Sequence, residues 1–251
     1  MTDGLFDLTG KTACVTGASA GLGEYAARFL VQRGVAVVGV ARRGDRLQQW
    51  RQASGGRTAA VVADLSDTAA VPDLARQVCA AFGPPDILIN AAGINTRQAA
   101  GEVTPQGWAV TLDLNLTTPF FLAQNFAEMM QDKGWGRIIN FASLQTFRAF
   151  PGGIAYGASK AGVAQMTRAM AEAWSPFGIN ANAIAPGFFK TELTAAVFDD
   201  SERSARNAAQ TCIGRNGVVE DLAGPLQFLC SDASAYVTGQ ILSVDGGYTA
   251  K

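Results

Sequence analysis

Short runs of apolar, β-branched residues alternate with longer stretches of helical periodicity along the whole chain. The runs are KTACVTG (11–17), VAVVGVA (35–41), TAAVVA (58–63), DILIN (86–90), GRIINFAS (136–143), INANAIAP (179–186) and GQILSVDGG (239–247). Each reads as a strand buried on both faces, and the helix-length segments between them require parallel strands joined by right-handed crossovers. The helices are expected near 21–33, 44–53, 67–82, 104–132, 155–176 and 219–231. Some ends are explicit: Thr104 precedes Pro105 as an N-cap, and Gly34 and Gly178 stand where helix C-termini take a left-handed residue. The pattern predicts an α/β fold with a doubly wound, parallel, seven-stranded sheet in strand order 3-2-1-4-5-6-7. No polar linker, repeat or low-complexity tract divides the chain, so residues 1–251 are expected to form one domain.

Composition narrows what such a domain could bind. Of 251 residues, 48% are hydrophobic, 16% are charged and 28 are glycine, which describes a well-buried, turn-rich globule. A formal charge of −1 gives no broad attraction to nucleic acid or anionic lipid. No apolar run approaches the roughly 20 residues that span a bilayer. The opening MTDGLFDLTGK carries acids where a signal peptide would be basic and then apolar, so a cytoplasmic protein is expected. Cys14, Cys79, Cys212 and Cys230 are too scattered for a zinc knuckle or redox pair and are expected to be buried free thiols. The chain has no histidine and no acidic cluster with ligand-like spacing, so no metal site is expected.

The stretch TGASAGLG (16–23) follows the first strand and opens a helix. Glycines so placed give a tight turn, close backbone approach to a pyrophosphate and close helix-sheet contact, and the helix N-terminus offers unpaired N–H groups. With strand and helix both in place, the turn points to a dinucleotide. A site for NAD would carry Asp or Glu at the end of the second strand, to bond the ribose hydroxyls. This chain has Ala41, followed by Arg42 and Arg43. The group that would repel a 2′-phosphate is missing and cations that attract one are present, which favours NADP over NAD. The alternative, that both arginines are solvated residues of a helix start beside Asp45, stays open. Asp64 closes the third strand, and NAAG (90–93) follows the fourth, at the strand ends where open α/β sheets bind ligands.

The stretch AYGASKAG (155–162) sets Tyr156 and Lys160 four apart on one helical face among small residues, and Ser143 lies thirteen residues before Tyr156 at the end of the fifth strand. A phenol with an ordinary pKa of about 10 needs help to exchange protons at neutral pH, and a neighbouring ammonium can supply it.

This set resembles the short-chain dehydrogenase/reductase family: TGASAGLG, Asp64, NAAG, Asn115 in LDLNLTT, Ser143, YGASK, APGFFKT and VTGQILSVDGG follow in its order over nearly the whole chain. One departure is Ala91, where the family more often has a second asparagine, which puts a local hydrogen bond in doubt. The resemblance implies a Rossmann-type fold and hydride transfer between nicotinamide and a carbonyl or alcohol carbon. Tyr156 would exchange the proton, Ser143 would hold the substrate oxygen, Lys160 would bind the nicotinamide ribose and lower the tyrosine pKa, and Asn115 would support a water-linked proton path. The cofactor would lie along Gly17, Ser19, Gly21, Leu22 and Gly23, then Arg42 and Arg43, then Asp64 and Leu65. It would continue past Asn90, Ala91 and Gly93 to Tyr156, Lys160, Pro186, Gly187 and Thr191. The family also pairs its long helices across two-fold interfaces, which implies a homo-oligomer, expected to be a tetramer.

Polar and aromatic residues crowd the expected substrate pocket: Asn95, Arg97, Gln145, Arg148 and Phe188, beside Ser143 and Tyr156. Two arginines near an alcohol site suggest an anionic or heavily hydroxylated small molecule, since guanidinium grips a carboxylate bidentately. Residues 188–215, with the charged DDSERSARN, are expected to cap that pocket. Within the family the opening, AAGINTR and the C-terminal region look most like gluconate 5-dehydrogenases and related sugar-acid or polyol dehydrogenases. Reduction of 3-oxoacyl groups on acyl carrier protein is the enzymatic alternative. A nucleotide-sensing scaffold without chemistry is the alternative of another class.

Overall fold

Seven parallel strands lie in the order β3-β2-β1-β4-β5-β6-β7 in the computed structural model, which describes residues 4–251. The first three residues of the acidic opening lie outside the described residues. The strands are β1 (Thr12–Thr16), β2 (Ala36–Ala41), β3 (Thr58–Val62), β4 (Ile87–Asn90), β5 (Gly136–Phe141), β6 (Ile179–Pro186) and β7 (Ile241–Val244). The helices are α1 (Gly21–Gln32), α2 (Gly44–Ser54), α3 (Val71–Phe82), α4 (Pro105–Leu112), α5 (Thr118–Lys133), α6 (Ile154–Trp174), α7 (Ala195–Phe198), α8 (Ser201–Gln210) and α9 (Ala223–Cys230).

Strand alternation feeds two separate cores. Ala13 and Val15 of β1 pack with α1, α2 and α9, through Phe29, Leu30, Leu47, Trp50, Leu226 and Leu229. Cys14 points to the opposite face, where Leu74 and Val78 of α3, Phe126 and Met130 of α5, and Met170 of α6 close the second core. Because both faces are covered, the β2, β4, β5 and β6 side chains are buried throughout; the expectation fails at the sheet edges, where β3 and β7 leave residues exposed.

The expected caps are in place. Thr104 accepts a hydrogen bond from the Gly107 N–H at 3.0 Å, and Gly34 and Gly178 have φ of +79° and +81°. The helix expected over 104–132 is interrupted instead. A wider π-helical turn at Asp113–Thr117 separates α4 from α5, and Pro119 just beyond has no N–H to give the Asn115 carbonyl. Two helices also form in 188–215, where none was expected: α7 and α8, the latter capped by Asp200 on the Arg203 N–H. Cys14 and Cys230 are buried free thiols, but Cys79 is only partly buried and Cys212 is exposed. No described helix is long and apolar enough to cross a membrane.

Candidate active site

The strand order reverses between β1 and β4, and the crevice at that point is built by their two following loops. Gly17 takes φ of +73°, and a Cβ there would lie 2.9 Å from the Ala92 nitrogen. At Gly23 a Cβ would lie 2.5 Å from the Gly17 carbonyl oxygen, so helix α1 can start this close to the strand only with glycine. The first turn of α1 has no side-chain cap at Ala20, which leaves its N–H groups for an anion. Thr16, which the glycine pattern did not single out, ties the two loops: its hydroxyl accepts from the Ala91 and Ala92 N–H groups at 3.1 and 3.2 Å. Backbone donors thus hold the turn at Ala91 without the second asparagine.

A cavity of about 620 Å³ runs from this turn across the ends of β2, β4, β5 and β6. Gly17, Ser19, Gly21, Leu22 and Gly23 line it at one side, with Ala41, Arg42, Arg43 and Leu65 beyond. Ala91, Gly93, Asn95 and Arg97 enter from the loop after β4, Ser143 and Gln145 from the loop after β5, and Tyr156 and Lys160 from α6. Pro186, Gly187, Phe188 and Thr191 follow β6. Among the described residues, five basic side chains line it, namely Arg42, Arg43, Arg97, Lys160 and Arg203, against a single carboxylate, Glu192.

The reactive groups are held by the backbone of their neighbours. Ser143 starts a 3₁₀ turn in which its Oγ accepts from the Gln145 N–H at 3.1 Å. Thr146, at the end of that turn, donates to the Lys160 carbonyl at 3.1 Å and so locks the serine loop to α6. Lys160 Nζ donates to the Phe141 carbonyl at 2.6 Å and lies 5.7 Å from the centre of the Tyr156 ring. Burial pushes the lysine pKa down to about 8. Burial also raises the Tyr156 phenol above its ordinary value, and the Ser143 hydroxyl and the positive charge of Arg97 pull it back. The groups opposing the upward shift are therefore Ser143 and Arg97, whereas Lys160 was expected in that role. Arg97 has φ of +51°, the one left-handed residue other than glycine among those described, and its N–H is secured by the Asn95 side chain at 3.0 Å.

Four residues expected at the site do not line the cavity. Asp64 is exposed; its carboxylate accepts from the Ser66 N–H and hydroxyl, which hold its pKa low with Arg42 adding a smaller effect. Asn90 is buried under the sheet rim, where its amide donates to Asn140 at 2.9 Å. Asn115 lies behind the loop after β4: it accepts from the Ile94 N–H and donates to the Ile94 carbonyl, both at 2.9 Å, and reaches Ser159 at 3.0 Å. Arg148 turns away to bond the carbonyl of Lys251 at 2.7 Å and cover the Tyr248 ring. Two glycines of α6 also have packing neighbours: a Cβ at Gly157 would lie 3.4 Å from the Gln145 side chain, and one at Gly162 would lie 2.9 Å from Leu116.

The sequence reading missed Glu192, Leu193, Val197 and Arg203, which line the cavity from the segment after β6, and Phe150, which meets Phe188 and Tyr248 edge-on or tilted at 6.0 and 6.3 Å. No local period marks them.

The family model described as Enoyl-(Acyl carrier protein) reductase matches residues 17–249. The chain belongs to the short-chain dehydrogenase/reductase family. It is 39% identical to gluconate 5-dehydrogenase of Gluconobacter oxydans, with 98% of this chain and 97% of that protein covered. It is 40% identical to 2-dehydro-3-deoxy-D-gluconate 5-dehydrogenase of Escherichia coli, with 98% of both covered. Among solved structures, gluconate 5-dehydrogenase from Burkholderia cenocepacia in complex with NADP and tartrate superposes with a TM-score of 0.92 at 36% identity, again with 98% of each chain covered. The glycine turn at Gly17 and Gly23, with the uncapped N-terminus of α1 beside it on the cavity, has the donors and the close strand-helix approach that suit a dinucleotide pyrophosphate.

Proposed function

We propose that the protein is an NADP-dependent oxidoreductase that interconverts a secondary alcohol and a ketone on a sugar acid or polyol. The observation that carries this reading is the convergence of Ser143, Tyr156 and Lys160 on one cavity lined by five cations and one carboxylate. That charge balance suits two anionic ligands, a phosphorylated cofactor and a carboxylate substrate. The bound cofactor supplies or accepts the hydride. Residues of the chain do the rest. Tyr156 gives its phenolic proton to the carbonyl oxygen in reduction and takes it back in oxidation. Ser143 holds the same oxygen, and Lys160 would bind the nicotinamide ribose. Asn115 fixes the Ile94 backbone beside Gly93, where a Cβ would lie 3.6 Å from Lys160 Nζ, and in that position would support a water-linked proton path. Asn95, Arg97, Gln145 and Phe188 shape the substrate end, under a cap formed by 188–215.

Turnover of gluconate, 5-ketogluconate and 2-dehydro-3-deoxygluconate, followed at the reduced-nicotinamide band with both cofactors, tests the assignment. The sugar acids should react and acetoacetyl thioester should not; the reverse result would move the protein to 3-oxoacyl reduction. Binding of NADPH with no turnover across a broad carbonyl panel would point to the scaffold reading.

The same reading includes a homotetramer. Trp108, Phe121 and Ile154 are large apolar side chains left exposed on α4, α5 and α6, and burying them between copies removes apolar area from water. Sedimentation at micromolar concentration should give about four times the 26.2 kDa chain mass, and a monomeric mass would count against this.

A further inference from the structure

Arg43, one of the two arginines assigned to the cofactor's 2′-phosphate, already holds an anion. Its Nη1 lies 2.9 and 3.1 Å from the two oxygens of Glu192, and its Nη2 is 3.4 Å from the Ser19 hydroxyl in the glycine turn. Glu192 is 149 residues away in sequence, on the turn that leads from β6 into α7, and it is the only carboxylate among the residues lining the cavity. The turn is fastened on its other side as well. The carbonyl of Leu193 accepts from Arg97 Nη2 at 2.7 Å, and the methyl of Thr191 lies 3.3 Å from where a Cβ of Gly21 would stand. Consecutive residues of one turn are thus pinned to two arginines that line the cavity, Arg43 at the expected phosphate site and Arg97, whose charge acts on Tyr156.

We propose that Glu192 is a resident stand-in for the 2′-phosphate: it pairs with Arg43, fastens the cap turn there, and is displaced when NADP binds. The inference rests on the NADP assignment and goes beyond it by naming the competing group. Its physical basis is that carboxylate and phosphate are alternative partners for one guanidinium. Both Arg43 and Glu192 are well exposed, so their pairing is weak and open to exchange. Among the described residues Arg42 forms no salt bridge, its charge acting only weakly on Asp64, and it is the cation that first meets the phosphate. NAD carries no 2′-phosphate, so it leaves Glu192 on Arg43 and the turn fastened. Glu192 therefore lowers the affinity for NADP selectively and couples the phosphate to release of the cap.

Fluorescence titration of NADPH and NADH into the wild-type chain, Glu192→Gln and Arg43→Ala tests this, together with hydrogen exchange of residues 191–210 in the ligand-free proteins. Glu192→Gln should tighten NADPH by about two- to fivefold, as expected for an exposed pair, and leave NADH unchanged. Exchange in the 192–198 turn of ligand-free Glu192→Gln should be faster than in the wild type. An unchanged or lower NADPH preference in Glu192→Gln overturns the inference. If Arg43→Ala nevertheless removes the wild-type preference, the cofactor assignment survives that failure. Equal affinities for both cofactors in the wild type, unaltered by Arg43→Ala, would overturn assignment and inference together.

Discussion

Tyr156→Phe should abolish nearly all turnover while the dissociation constant for NADPH stays within about twofold. The substitution removes the phenolic proton assigned to the substrate oxygen and keeps the ring that packs beside Lys160. General acid-base groups contribute about 10²–10⁴-fold, and groups acting as a unit cost more when one is lost. The pH dependence follows from the same phenol. Alcohol oxidation needs the phenolate, and burial holds the Tyr156 pKa above its ordinary value, so oxidation should accelerate as pH rises from 7. Ketone reduction needs the protonated phenol, so its rate should be flat through neutral pH and fall only in the alkaline range. Arg97→Met removes a positive charge that lowers this pKa and should move both limbs to higher pH. Initial rates in each direction between pH 6 and 10 test these expectations; substantial turnover by Tyr156→Phe, or identical profiles in the two directions, would rule out Tyr156 as the proton-exchanging group.

Cofactor choice should reverse with a single substitution at the end of β2. Ala41 is buried there and lines the cavity, where NAD would require a carboxylate for its ribose hydroxyls. Charge-assisted hydrogen bonds are worth about 1.5–3 kcal/mol, so one good contact from Arg42 to the phosphate gives roughly tenfold or greater preference for NADP. Arg42 is the stronger candidate because Arg43 is shared with Glu192. Arg42→Ala should erase most of the preference, and Ala41→Asp should invert it by repelling the phosphate and bonding the ribose. Ratios of kcat/KM for the two cofactors provide the measurement; a wild-type enzyme that used NAD equally well would show that neither arginine reads the phosphate.

Seven strands and most helices were legible because each is specified within a few residues. Alternating apolar runs specify a strand buried on two faces, and a glycine after a periodic segment specifies a helix end. The nucleotide turn was legible for a related reason: the bad contacts that demand glycine at 17 and 23 arise within the β1-α1 unit and the adjoining loop after β4. The π-helical turn at 113–117 was not, because one extra residue in a turn leaves the apolar spacing on either side nearly unchanged. Helix α8 was hidden by its composition: SERSARNAAQ buries none of its residues and is held by its cap, by Asn216 bonding Ser204, and by Lys251 bonding the carbonyls of Ala209 and Thr211.

Placement within the site divides along the same line. Tyr156 and Lys160 share one helix, so their spacing alone put them together, and Ser143 joined them because β5 and α6 are consecutive elements. Asp64, Asn90 and Arg148 carried suitable chemistry at suitable strand ends, yet their side chains found nearer partners in Ser66, Asn140 and Lys251. The sequence by itself determined the sheet, its covered faces, the glycine cradle and the Ser-Tyr-Lys constellation, since each follows from local steric limits and periodicity. Only the tertiary structure decided that Thr16 joins two loops, that Asn115 supports Ile94, and that Glu192 and Leu193 meet Arg43 and Arg97. Those contacts bridge 21 to 149 residues, and no local pattern encodes which side chain a folded sheet will bring within 3 Å of another.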